Sequence, residues 1–393
     1  MVFSRLNRFD ENHHVQKRLS HTLIGALVLL LALAGCSSES ERPLESPVRL
    51  DGGAFGSFYQ VSIADPLTQG EAQTLEAGIE AQLDRVDQAM STYRDDSELT
   101  AFNQAPLGEW QPLSNALIEV MAISQSVAEA SGGAFDVTIG GLVNLWSFGP
   151  EARPEEVPSD AVLTARLAQI GIDALEVDIQ AMQARRLRDV FVDLSAVAKG
   201  HATDQVAAYL EQQGVEHYLV NLGGDLVAHG YRDPEEETLW RVGIEVPEDG
   251  PQTAQHVLPL ADISVATSGD YRNYFEAEGQ RYSHTLDPRS GTPITHGLAS
   301  VSVFHPSNAW ADAWATALLV LGEAEGMTLA HEQDLNVLML VREGDTWHSL
   351  ASPAFAQFFG QALLEELGIE VATAEQATIN ATGIDENISK ERG

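Results

Sequence analysis

Asp312 and Thr316 stand four residues apart in Ala311-Asp312-Ala313-Trp314-Ala315-Thr316-Ala317, so a helix there carries a carboxylate and a hydroxyl on one face. Hard oxygens of that kind suit Mg2+. Taken alone, the pair equally fits a helix with an N-terminal Asp and a back-bonded Thr. Four more segments place polar or glycine residues where plain packing would not. Val192-Asp193-Leu194-Ser195-Ala196-Val197-Ala198-Lys199-Gly200 ends a strand and opens a helix. Lys199 beside free helix N–H groups there makes a seat for phosphate, with an ordinary salt bridge as the alternative. Met90-Ser91-Thr92-Tyr93-Arg94 gathers hydroxyls and a ring at one loop, as a capping loop also would. Gly132-Gly133-Ala134-Phe135-Asp136-Val137-Thr138, leading to Trp146-Ser147-Phe148-Gly149, offers close backbone approach and stacking faces. Last, Thr267-Ser268-Gly269-Asp270 precedes Ser283-His284-Thr285-Leu286-Asp287-Pro288-Arg289-Ser290-Gly291, where His284 and Asp287 lie before a proline-fixed turn. Stacking groups, a phosphate seat, a cation site and a histidine together fit phosphoryl transfer from a nucleotide-like cofactor.

Common alternatives are missing. The chain has no Gly-x-x-x-x-Gly-Lys-Ser/Thr loop, no Gly-x-Ser-x-Gly elbow and no His-Glu-x-x-His. Asn221-Leu222-Gly223-Gly224-Asp225 has the wrong spacing for a dinucleotide fingerprint. Ser195 and Lys199 are one residue too far apart for the β-lactamase pair.

The elements that must carry these groups alternate irregularly. Apolar spacing predicts helices over 68–90, 114–131, 161–170, 198–213, 308–321 and 323–333. Strands are expected at 58–63, 174–178, 190–193, 217–221, 226–228, 240–245, 263–266, 300–304, 336–341 and 346–350. That order argues for an α+β fold of mixed sheets with packed helices rather than a regular doubly wound sheet. No internal repeat is present.

At the N-terminus, Arg5, Arg8, Lys17 and Arg18 precede an apolar run, Leu23 to Ala34, that closes on Leu33-Ala34-Gly35-Cys36. A basic region, a short apolar stretch and small residues before a cut site make a secretory signal. The run is shorter than the roughly 20 residues that a spanning helix needs. Cys36 is the only cysteine, so it forms no internal disulfide. Leu-Ala-Gly-Cys matches a bacterial lipobox, with Cys36 as the lipidated residue. Residues 1–36 are then a lipoprotein signal peptide, 37–48 a tether, 49–372 one catalytic domain and 373–393 a polar tail. The expected location is the periplasmic side of a bacterial membrane, lipid-anchored. The net charge of −36 becomes −38 without residues 1–36, which hold four basic and two acidic residues. Such a surface repels nucleic acid and anionic headgroups. An anionic ligand therefore needs a metal or a local positive site.

The ordered motifs Met-Ser-Thr-Tyr, Gly-Ala-Phe-Asp, Asp-Leu-Ser-Ala-x-Ala-Lys-Gly, Asn-Leu-Gly-Gly-Asp, Thr-Ser-Gly-Asp-Tyr, His-x-x-Asp-Pro-Arg-Ser-Gly and Ala-Asp-x-x-Ala-Thr-Ala resemble the FAD:protein FMN transferases, the ApbE family. The resemblance runs from about Phe55 to Gly322 and implies an ApbE-like (T-fold-like) domain. It implies FAD contacts at Phe55, Tyr93, Ala134, Phe135, Asp136, Asp193, Lys199 and Thr285. It implies Mg2+ at the Ala196 carbonyl, Asp312 and Thr316, with His284 beside the pyrophosphate as the catalytic group. The implied reaction moves FMN from FAD onto a threonine of an acceptor protein, such as an Nqr- or Rnf-type subunit, and releases AMP. An FAD pyrophosphatase and a non-catalytic flavin carrier are the alternatives. Three positions depart from the family pattern: Phe55-Gly56-Ser57 for Met-Gly-Thr, Ser147 for a glycine, and Thr285 for an aliphatic residue.

Overall fold

The computed structural model describes residues 40–372, apart from 152, 249–252, 272, 278 and 345. The signal peptide, Cys36 and the tail 373–393 lie outside the described residues. Its centre is one nine-stranded sheet whose strands follow chain order: β1 (Val48–Ala54), β2 (Ser57–Ile63), β3 (Tyr218–Leu222), β4 (Asp225–His229), β5 (Ile263–Gly269), β6 (Leu298–His305), β7 (Asn336–Glu343), β8 (Thr346–Ala351) and β9 (Glu370–Val371). Every neighbouring pair is antiparallel except β8 with β9. The sheet is thus a meander interrupted by long insertions. β6 is buried on both faces over seven consecutive residues, as a strand covered on both sides should be.

Helices α1 (Gln69–Met90), α2 (Glu98–Gln104), α3 (Asn115–Ala130), α4 (Gly140–Leu145), α5 (Asp160–Leu167) and α6 (Ser195–Gln212) fill the insertion between β2 and β3. α7 (Asn308–Glu332) links β6 to β7, and α8 (Pro353–Phe359) and α9 (Gln361–Leu367) precede β9. The main core packs α1, α3, α6 and α7 against one sheet face. A hairpin of Trp240–Glu245 with Ala254–Leu260, together with α8 and α9, covers the other. A smaller cluster of Leu142, Trp146, Leu163, Phe275 and Leu286 joins α4 and α5 to the His284 region.

α1 shows how sequence makes an element here. Leu75, Ile79, Leu83, Val86 and Met90 recur at three to four residues and are all buried, each stabilising the fold by about 1.5–3 kcal/mol. Its start is fixed by a capping box: Thr68 Oγ1 accepts from Glu71 N–H, and Glu71 Oε2 accepts from Thr68 N–H at 2.8 Å. Thr68→Ala should cost about 1 kcal/mol in urea unfolding.

Several expectations are corrected. β1 has no counterpart among the expected strands. Segment 190–193 is not a strand; it makes a single bridge, Ile139 with Phe191, and Asn103 takes both polar groups of Val192 at 2.8 Å. The two helices expected at 308–321 and 323–333 are present: α7 spans 308–332 but is broken at Gly322, whose backbone is not helical (φ 79°, ψ −179°). Within the expected tether, 37–48, residues 42–46 lie on the domain: Leu44 N–H donates to Leu67 and Ser46 Oγ to Ala64. No helix among the described residues is long and apolar enough to cross a membrane.

Candidate active site

Two helices carry the centre. Lys199 and Gly200 sit in the first turns of α6; Asp312 and Thr316 sit in the first turns of α7. The Gly200 N–H donates to Asp312 Oδ2 at 3.0 Å. In a regular helix that N–H points at the carbonyl of Ala196, four residues back, so Asp312 is brought beside the first turn that holds Ala196. The bond is reciprocated further along. Asp204 of α6 accepts from Ser307 Oγ, Asn308 N and Ala309 N at 2.7–3.0 Å, capping α7 in place of the cap residue Ser307, whose own side chain makes no such bond. Each helix thereby supplies a carboxylate to the other's backbone.

The close approach depends on Gly200. A Cβ there would stand 2.4 Å from the Asn308 carbonyl oxygen and 2.8 Å from Asp312 Cβ. Gly200→Ala should force the helices apart, costing about 1–3 kcal/mol. Asp312 would move relative to Lys199, and transfer should fall about tenfold; thermal unfolding and a transfer assay read the two effects.

Strand ends complete the centre. Lys199 Nζ lies 3.1 Å from Asp225 Oδ2, and the Asp225 side chain is 1 % exposed. Asp225 opens β4 directly after the Gly223-Gly224 turn, where both residues have positive φ (59° and 105°). Only such a two-residue turn fits between the paired residues Leu222 and Asp225, which explains the Asn-Leu-Gly-Gly-Asp motif. Asn221 Oδ1 accepts from Gly224 N at 3.0 Å. At the end of β5, Ser268 Oγ lies 3.1 Å from Thr316 Oγ1. Phe55 and Gly56 form the β1–β2 turn, both left-handed (φ 52° and 71°). Phe55 is 38 % exposed in a conformation uncommon for a bulky side chain. Ser57, next to that turn, is in contact range of Gly223, beside Lys199.

Loops form the rim. Tyr93 is 70 % exposed, and its hydroxyl donates to the Phe148 carbonyl at 3.4 Å. The Phe148 ring stands edge-on to His284, centroids 6.3 Å apart. Asp193 Oδ1 accepts from Ser195 N–H and Oγ at 2.9 and 2.5 Å, tying the entry of α6. Ala134 and Phe135 are buried, and Asp136 Oδ1 is engaged by Thr138 N–H and Oγ1 at 2.7 Å. Thr285 is buried and pairs through its carbonyl with Ile294. Lys199, Asp312 and Thr316 therefore meet at the junction of α6 and α7, Tyr93 is joined to His284 through Phe148, and Phe135, Asp136 and Thr285 are buried. Ser147, where the family pattern has a glycine, adopts φ 67°, a region that suits glycine, and its Oγ donates to Pro154 at 2.6 Å.

The electrostatics are set by burial. Burial and the neighbouring Asp225 push the Asp312 carboxyl up to about 7, against the opposing pull of Lys199. Burial raises Asp225 too, although Lys199 works against it. For Lys199, burial lowers basicity, but Asp225 and Asp312 outweigh it and hold the ammonium above its usual range. Two buried carboxylates thus face one ammonium. Among the described residues no cluster of three or more His, Cys, Asp or Glu forms a metal site. The set here is of another kind, one carboxylate, one hydroxyl and one carbonyl. That suits Mg2+, which keeps several waters and shares phosphate oxygens. The excess buried negative charge fits the same ion. His284 is held below its ordinary value, chiefly by burial and also by Lys199. Its Nδ1 lies 3.0 Å from the Asn273 carbonyl. A carbonyl only accepts, so Nδ1 carries the proton and Nε2 keeps its lone pair.

Comparison with known proteins decides the family. The description "ApbE family" matches residues 55–339. This chain belongs to the ApbE family. FAD:protein FMN transferase from Klebsiella pneumoniae (strain 342) is 39 % identical over 341 residues, 86 % of this chain and 96 % of that protein. The enzyme of the same name from Vibrio cholerae is 40 % identical over 336 residues, 86 % and 98 %. The apo flavinyl transferase ApbE of Pseudomonas stutzeri superposes with a TM-score of 0.71 at 38 % identity, covering 80 % of this chain and 96 % of that one. The ApbE protein of Thermotoga maritima, at 26 % identity, gives 0.70 over 80 % and 99 %. The fold is the α+β ApbE fold. The chain is a transferase that moves FMN from FAD to a protein. Sequence reasoning assigned no role to Asp225 or Asp204. The first was visible inside its motif, whereas the second shows only once α6 and α7 are paired.

Proposed function

We propose that this ApbE-family transferase acts with Mg2+, that its acceptor is a threonine hydroxyl, and that AMP is the leaving product. The observation that supports this most is the buried pair of carboxylates facing a lone lysine at the junction of α6 and α7. Asp312, Thr316 and the Ala196 carbonyl would hold the ion, which when bound neutralises pyrophosphate charge. Lys199, kept protonated, holds a phosphate oxygen at the start of α6. Tyr93 and Phe148 offer ring faces at the mouth, and Phe55 lies on the adenine side. His284 Nε2 accepts the threonine proton as that oxygen bonds to the FMN phosphorus. The bond from this phosphorus to the bridging oxygen breaks, and AMP departs with that oxygen. The product is a threonine phosphoester of FMN. An Nqr- or Rnf-type subunit is the proposed acceptor, and lipidation at Cys36 on the periplasmic side of the membrane the proposed location.

In-gel flavin fluorescence tests the reading, using protein, FAD, Mg2+ and an acceptor domain with a reactive threonine. A fluorescent acceptor band that survives denaturation, with AMP released, is expected. A dark band with free FMN and AMP would instead mean pyrophosphatase, and a dark band with intact FAD a flavin carrier. His284→Gln should slow transfer about a hundredfold and leave FAD affinity unchanged. In the unaltered protein the rate should fall as pH drops through the His284 value, below the ordinary 6.5. At saturating Mg2+, which would keep Asp312 ionised, that acid limb should vanish in the variant.

A further inference from the structure

A cavity of about 140 Å3 lies between α4, α5 and the segment that leads to Asp193. It is lined by three guanidinium groups, Arg153, Arg166 and Arg186, in a chain with 22 basic against 58 acidic residues. Two carboxylates also reach it, Glu151 and Asp189. Glu151 is committed, bound by Arg153 (2.8 Å from Nε) and by Asn144 Nδ2 at 3.1 Å. Asp189 is 81 % exposed and stands 3.9 Å from Arg186, beyond hydrogen-bond reach. Arg186 has a side chain 6 % exposed and spends two of its five donors on the carbonyls of Val190 and Ala105, at 2.8 and 2.7 Å. Arg166 donates to Gln169 Oε1 at 3.1 Å and has no carboxylate within 4.0 Å among the described residues. Its guanidinium lies over Gly141, where a Cβ would stand 3.0 Å from Nη1.

Buried cations are ordinarily paired, and surplus carboxylates are plentiful on this chain. Arg166 has no carboxylate within 4.0 Å among the described residues, and buried Arg186 has only the exposed Asp189, in a long ion pair at 3.9 Å, so three guanidiniums against two carboxylates leave this hollow with surplus positive charge for an anion. Size narrows the choice: at about 30 Å3 per water the cavity takes an anion of a few heavy atoms, not a nucleotide. We propose that this cavity binds a small oxyanion, a phosphate or a carboxylate, at a site separate from the FAD pyrophosphate seat. Its wall at Val190 and Phe191 is two residues from Asp193, so an occupant would brace the segment entering α6.

Titration calorimetry of the full chain in detergent, saturated with FAD so that the Lys199 seat is filled, tests this. The probes are inorganic phosphate and N-acetyl-aspartate amide. The expected result is one saturable site for at least one probe. Its affinity should drop about tenfold or more in Arg166→Ala and stay unchanged in the control Arg232→Ala. Arg166 is only part-buried, so its variant should fold, and the retained FAD affinity verifies that. Binding of phosphate alone identifies a free anion. Binding of the aspartate derivative identifies a carboxylate presented by another protein. No saturable binding of either probe, or binding indifferent to Arg166→Ala, overturns the proposal.

Discussion

Lys199→Met should slow flavin transfer about a thousandfold, the loss expected when one preorganised charge leaves a transition-state site, and should also destabilise the fold. The second effect arises because Asp225, 1 % exposed, loses the ammonium 3.1 Å away. Breaking a fully buried pair costs about 3–5 kcal/mol. Here the figure should be nearer about 2–3 kcal/mol, because the Lys199 side chain is 31 % exposed and Asp225 escapes part of the penalty by taking a proton. The two effects separate in a double variant. Lys199→Met with Asp225→Asn removes the orphaned charge and should recover most of the stability in urea unfolding. It should recover none of the rate. A double variant that regains transfer would mean that Lys199 only balances Asp225.

How much of this was legible depended on whether a signal was local. The helices α1, α3 and α6 were readable because their apolar residues repeat on one face and start or stop at Thr68, Ser114 and Gly214. The α+β class followed from the irregular order of elements. β1 was hidden because Gly52-Gly53 interrupts an already short alternation; it exists because β2 offers a complete register from Val48 opposite Ile63 to Ala54 opposite Ser57. Segment 190–193 reads as a strand, yet its Val192 groups are satisfied by the Asn103 side chain, 89 residues away. At the site, residue types gave the chemistry, but spacing could not give the partners. Asp312 meets Gly200 across 112 residues, and Asp204 caps α7 across about a hundred. Nothing within one window of sequence encodes those meetings; they follow from packing two helices close enough for a glycine to be required.

Asp312→Asn should reduce transfer a thousandfold or more, on the order of losing a metal's charge stabilisation, while making the metal-free protein more stable at alkaline pH. Asparagine keeps an oxygen for the Gly200 N–H, so the helix contact survives and the charge alone is removed. Folding raises the Asp312 carboxyl from 3.8 to about 7, which means that the folded state holds this proton more tightly than the unfolded chain does. The stability linked to that proton is complete below about pH 4 and is lost as pH rises through about 7. Asp225, raised for the same reason of burial, acts in the same direction. Metal-free unaltered protein should therefore lose melting temperature relative to Asp312→Asn between pH 4 and 8. Saturating Mg2+ should reverse the comparison, because the ion binds the ionised carboxylate. An ion at a hundred times its dissociation constant adds about 2.7 kcal/mol, and the asparagine variant should show none of it. Equal Mg2+ stabilisation in both proteins would place the ion elsewhere. A difference in pH slope that persists without any Mg2+ response would leave Asp312 as a buried acid holding two helices together. The paired melting curves, with and without Mg2+ across pH, therefore test the metal role independently of any acceptor protein.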